Sequence, residues 1–166
     1  MPVDTEDDDM GASDGVVARV KSWWTRVRRG LTIDSGAADH VIPPNWIPGQ
    51  AIEPSPGSKR GVKYVAADGA KLPNLGQMVV AFENGVGTAG KILFQVANIT
   101  KPLVSVSKLI DDGHQVVFDK RASYIIHVES GRKMMLKRER GVFIVDAFVD
   151  PKRAPKNKSA GFRGRG

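Results

Sequence analysis

Leu31-Thr32-Ile33-Asp34-Ser35-Gly36-Ala37-Ala38 is the stretch on which the fold and the function both turn. Three residues of apolar, strand-like character deliver a carboxylate into a turn built only of small residues, so that the carboxylate stays approachable. Gly36 lets backbone N–H groups come close to it, and Ser35 can hydrogen-bond across to brace the loop. Beside a second carboxylate such a group cannot ionise fully, because like charges about 3 Å apart repel and the pair then shares one proton. A pair of that kind is both acid and base. One member draws a proton from water while the other polarises a carbonyl, and peptide hydrolysis needs neither metal nor covalent intermediate. The alternative reading of Asp34 is a solvated carboxylate in an ordinary turn, where Asp, Ser and Gly often cluster.

Outward from this stretch, turn residues chop the chain into short strands. Residues 61–67, then Asp68-Gly69, then residues 70–82 predict a hairpin with a type I′ turn. Asn84-Gly85 and Gly87 mark a second turn, followed by strand-like residues 92–97. Pro102 precedes residues 103–110, where alternating Val and Ser predict one buried face ending in a short helical turn, a core segment without chemistry of its own. Further strands are expected at residues 115–119, 123–128, 133–137 and 142–149, which together read as an antiparallel all-β domain. Trp46, between Pro44 and Pro48, is expected to pack against its edge, while His40 reads as a structural or solvated side chain near the loop.

Composition narrows the chemistry. The 166 residues predict one domain. The absence of cysteine excludes disulfides, thiolate metal sites and a thiol nucleophile, and three scattered histidines show no zinc-hydrolase spacing. No metal and no cofactor is expected. Residues 1–14 hold six acids and no base, residues 151–166 six bases and no acid, so the net charge of +7 belongs to the segment between them. Both ends read as disordered by composition. Over residues 15–29, Val16, Val17, Val20, Trp23, Trp24 and Val27 recur at helical spacing and predict a short amphipathic basic helix or linker. The domain is then expected over residues 30–150. No apolar run reaches the roughly 18 residues that span a bilayer, and no secretory signal leads the chain. A soluble, intracellular protein with no membrane partner is expected.

The order of these features is similar to that in the retropepsin-like aspartic proteases of long-terminal-repeat retrotransposons, most of all the copia type. The resemblance runs from about Leu31 to Val149. It is carried by LTIDSGAADHVIP (31–43), VKYVAADGAKLPNLG (62–76), ITKPLVSVSKLIDDGHQVVFD (99–119) and KRERGVFIVD (137–146). It implies a small closed all-β barrel with a flap hairpin and one short helix, active as a homodimer that cleaves extended peptides of a retroelement polyprotein. Asp34 would be the catalytic aspartate, Ser35 the inter-subunit brace, and Gly36 and Ala37 the rest of the dyad loop. Ala67, Asp68, Gly69 and Ala70 would form the flap over the substrate. The resemblance places the protein in the cytoplasm or within a retroelement particle. Retroviral members carry glycine where this chain has Ser105, a serine that copia-type relatives share. Ala37 lacks the hydroxyl of pepsin-like relatives, and the loss of that donor predicts an optimum less acidic than pepsin's. The rival expectation is a catalytically inactive retroelement-derived barrel that binds nucleic acid or a protein partner through its basic surface and its tail, where Phe162 sits among Arg and Gly.

Overall fold

A computed structural model describes residue 21 and residues 23–152. The acidic segment 1–14, residues 15–20 and 22 of the expected helix, and residues 153–166 of the basic tail lie outside the described residues. The chain runs through β1 (Thr25–Arg26), β2 (Leu31–Asp34) and β3 (Val41–Ile42) to the one-turn helix α1 (Pro56–Lys59). A hairpin of β4 (Lys63–Val65) and β5 (Lys71–Pro73) precedes the long strands β6 (Gly76–Glu83) and β7 (Ala89–Val96). β8 (Leu103–Ser105) leads directly into α2 (Val106–Asp111). The C-terminal part holds β9 (His114–Val117), β10 (Tyr124–His127), β11 (Lys133–Met135), β12 (Lys137–Glu139), β13 (Val142–Val145) and β14 (Phe148–Val149).

The protein is all-β, as its short strands and frequent turns predict. One sheet takes nine strands in the order β12-β13-β2-β8-β3-β7-β6-β14-β1, beside the β9-β10-β11 sheet and the β4-β5 hairpin. The large sheet curls into a half-barrel around Leu31, Ile33, Ile42, Met78, Val80, Phe94, Val96 and Val104. Within this single chain it is not the expected closed barrel, because its end strands β12 and β1 do not pair with each other. Their residues explain it: Lys137-Arg138-Glu139 is exposed and charged, a composition that disfavours further edge pairing, and β1 is only two residues long.

Two further expectations are corrected. The sheet is not purely antiparallel. β2 runs parallel to β8, with Thr32 opposite Leu103, Ile33 opposite Val104 and Asp34 opposite Ser105, and β3 runs parallel to β7. The helix expected over residues 15–29 is absent from its described end. Thr25–Arg26 pairs with Phe148–Val149 as a strand, Val27 is buried in the core, and the left-handed backbone at Arg29 and Gly30 stops any helix there. Gly30 sits so close to the β13 backbone that a Cβ would lie 2.7 Å from the Val145 carbonyl. Among the described residues the sheet therefore begins at Thr25, upstream of residue 30.

Trp46 packs against the core as expected, with the Arg28 guanidinium 4.1 Å above its ring and its indole N–H donating to the Arg28 carbonyl.

Candidate functional site

Parallel strands bring their C-terminal ends to the same side, so the β2–β8 pairing sets the loop after Asp34 against the start of α2. Leu31, Thr32 and Ile33 are buried, whereas Asp34 is only partly covered and Ser35 and Gly36 are exposed. The Gly36 N–H donates to Asp34 Oδ1 at 2.7 Å, and this fixes the carboxylate's direction. A Cβ at Gly36 would lie 3.3 Å from that oxygen, so a larger residue would press on the carboxylate. The Ala37 N–H closes the turn onto the Asp34 carbonyl at 3.4 Å. Thus the strand, the carboxylate and the small-residue turn stand together as their sequence suggests. Among the described residues, the Ser35 hydroxyl has no hydrogen bond within this chain, and Asp39, the next carboxylate, is held by Tyr64 and Lys108.

Ser105, which carried no role in the sequence, and His40, whose structural reading holds, keep the loop in place. The fully buried Ser105 donates from its hydroxyl to the Ala37 carbonyl at 2.7 Å, and its own N–H donates to His40 Nδ1 at 3.0 Å. The same hydroxyl caps α2 by accepting from the Lys108 N–H. One side chain therefore ties the carboxylate loop to the helix start. The alternating Val and Ser pattern marked residues 103–110 as a core segment with one buried face, but could not show that the Ser105 hydroxyl serves a loop 68 residues away.

His40 accepts through Nδ1, so it must be neutral. Burial depresses its pKa from 6.5 to about 4; Asp112 and Asp39 pull the other way, while Lys108 and His114 add to the depression. The unfolded chain binds a proton here below pH 6.5 and the folded chain does not until about pH 4. Stability is then intact above pH 6.5 and falls as the pH drops towards 4, by up to about 3 kcal/mol. Chemical denaturation at pH 7 and pH 4.5 measures this. His40→Asn, which keeps an acceptor at the same place, should flatten the pH dependence; an unchanged slope would show that His40 is not its source.

The expected hairpin is present, but with a different turn. The Gly69 N–H donates to the Ala66 carbonyl and Ala66 N–H to the Ala70 carbonyl, and only Gly69 has a positive φ, of 87°. Ala67 and Asp68 are thus the central residues of an ordinary turn followed by a glycine bulge, since type I′ would need positive φ at Asp68 as well. Asp68 Oδ1 accepts from the Ala70 N–H and rigidifies the tip. Ala67, Asp68, Gly69 and Ala70 are all exposed. The base of the hairpin, not its tip, bonds to the Asp34 loop, through Tyr64 and Asp39.

Among the described residues no group of three or more His, Asp or Glu side chains could hold a metal ion, and no helix is long and apolar enough to cross a membrane. Comparison with protein-family models, curated proteins and solved structures finds no match.

Proposed function

We propose that the protein is a retropepsin-like aspartic endopeptidase of copia-type retroelement origin, acting as a homodimer on extended segments of the polyprotein that contains it. The observation that carries this reading is the orientation of Asp34: a carboxylate at the end of an otherwise buried strand, aimed by the Gly36 N–H, in a turn whose small residues leave it open. Each chain supplies one such Asp-Ser-Gly turn, so two chains are needed to face two carboxylates. In that pair the ionised Asp34 takes a proton from water, the resulting hydroxide adds to the peptide carbonyl, and the protonated Asp34 gives its proton to the carbonyl oxygen. Collapse of the gem-diol, with proton transfer to the departing nitrogen, yields amine and acid. The β4–β5 hairpin would hold the peptide by strand-like backbone pairing. The test is cleavage of a mixed peptide library at several protein concentrations. A rate rising faster than linearly with protein supports the dimeric hydrolase, and silence from folded, dimeric protein rules it out.

A second reading rests on a different surface. Residues 132–140 carry five bases and one acid; Lys133 lies 4.3 Å over the Tyr124 ring and Arg138 5.4 Å over that of Phe143. Basic strands with aromatic neighbours suit single-stranded nucleic acid. Three phosphate contacts would weaken such binding roughly 20-fold between 50 and 200 mM salt. Anisotropy titrations of a labelled oligonucleotide measure this, and affinity that ignores salt removes the reading.

A further inference from the structure

Tyr64 sits at the centre of β4, and its hydroxyl is engaged from both sides. It donates to Asp39 Oδ2 at 3.1 Å and accepts from Asn74 Nδ2 at 3.1 Å. Asn74 is buried and uses its whole hydrogen-bonding capacity. Its amide nitrogen donates to Tyr64 and, at 2.9 Å, to Gln95 Oε1 on β7, while its oxygen accepts from the Ser55 hydroxyl and the Gly76 N–H. An amide anchored to β6, β7 and the cap of α1 therefore occupies the phenol's acceptor side and leaves its proton directed at Asp39. Asp39 belongs to the loop that begins at Asp34, and its other oxygen meets Lys108 of α2 at 3.3 Å. Burial holds the Tyr64 pKa at about 12, so the donor is present at any working pH.

Among the described residues, the Tyr64–Asp39 contact is the one hydrogen bond that joins the β4–β5 hairpin to residues 34–40. We propose that Tyr64 is a positioning residue, a tether that fixes the hairpin over the Asp34 loop and so sets how an extended peptide is held there. The inference rests on the hydrolase reading for its meaning in catalysis, but the coupling itself does not. The Lys108–Asp39 ion pair, half-exposed on the lysine side, joins the loop to α2 and not to the hairpin, so the phenol carries the connection. The tip beyond Val65 and Lys71 makes no hydrogen bond to residues 34–40, so the contact with that loop is made by Tyr64.

The test uses Tyr64→Phe, which keeps the ring and removes the tether, with Lys108→Met as the control that removes only the ion pair. Amide hydrogen exchange should quicken about tenfold in residues 63–73 of Tyr64→Phe, stay unchanged in β6 and β7, and remain near wild type throughout Lys108→Met. For the peptidase, Tyr64→Phe should raise KM about tenfold with kcat changed much less, since held substrate meets the same Asp34 pair. Exchange in residues 63–73 that matches wild type, or that quickens equally in β6 and β7, overturns the tether. A hairpin that loosens as described in a protein that cleaves nothing would instead leave the tether standing and remove the hydrolase reading.

Discussion

Asp34→Asn is expected to abolish peptide cleavage, by at least about 10³-fold, while the fold persists. The substitution is close to isosteric, and the asparagine oxygen can still accept from the Gly36 N–H that orients Asp34. Asp34 is partly exposed at a strand end, so the exchange empties no core volume, and thermal stability should change little. What disappears is the ability to hold and release a proton, on which both halves of the paired mechanism depend. Mixing supplies a sharper test. If the active unit contains one Asp34 from each chain, a freely exchanging equal mixture of wild type and Asp34→Asn retains only about a quarter of its dimers with two aspartates, whereas independent monomers would retain half of the activity. Activity per total protein near one quarter supports a shared dyad. A value of one half, or cleavage by Asp34→Asn alone, would place the chemistry elsewhere.

The parts of this protein that could be read from its sequence are those decided by neighbours in the chain. The Leu31–Asp34 strand, the hairpin and the two-strand unit around Asn84-Gly85 depend on local alternation and on turn residues, and all three are present. Asn84 shows how local this is: its own side chain accepts from the Val86 and Thr88 N–H groups and shapes the turn. What escaped was decided at long range. The parallel pairing of β2 with β8 joins Ile33 to Val104, and no periodicity within either strand encodes its partner or direction. The Trp23 to Val27 spacing fits a helix, yet a place opposite Phe148 and Val149 outweighs a weak helical preference. The turn type at Asp68-Gly69 failed for a narrower reason. Asp-Gly serves both turn classes, and only the residue that takes the positive φ separates them. At the candidate site the turn that carries Asp34 and a structural His40 were legible and the rest of the support was not, because Ser105, Tyr64 and Asn74 act through hydrogen bonds across the fold.

That support predicts the second large effect. Ser105→Ala should lower stability by about 2–4 kcal/mol, combining a lost helix cap with a carbonyl left without its donor. Both partners are specific: the Ser105 hydroxyl serves the Lys108 N–H at the start of α2 and the Ala37 carbonyl of the Asp34 loop. Ser107 lies 3.1 Å from the same hydroxyl but is exposed, and neither of those two bonds is its own, so Ser107→Ala should cost less than about 0.5 kcal/mol. Ser105→Thr retains the hydroxyl but forces a methyl into a site with no free surface, an overpacking that costs about 1–3 kcal/mol. Urea unfolding of the three variants at pH 7 gives the order directly. Turnover separates positioning from stability: where Ser105→Ala remains folded, kcat should still fall about 10²-fold, because the loop that aims Asp34 has lost the donor that holds its far end. A Ser105→Ala protein with near wild-type stability and turnover would mean that Gly36 and the β2–β8 register alone fix the carboxylate, and that neither the cap nor the bond to the Ala37 carbonyl contributes.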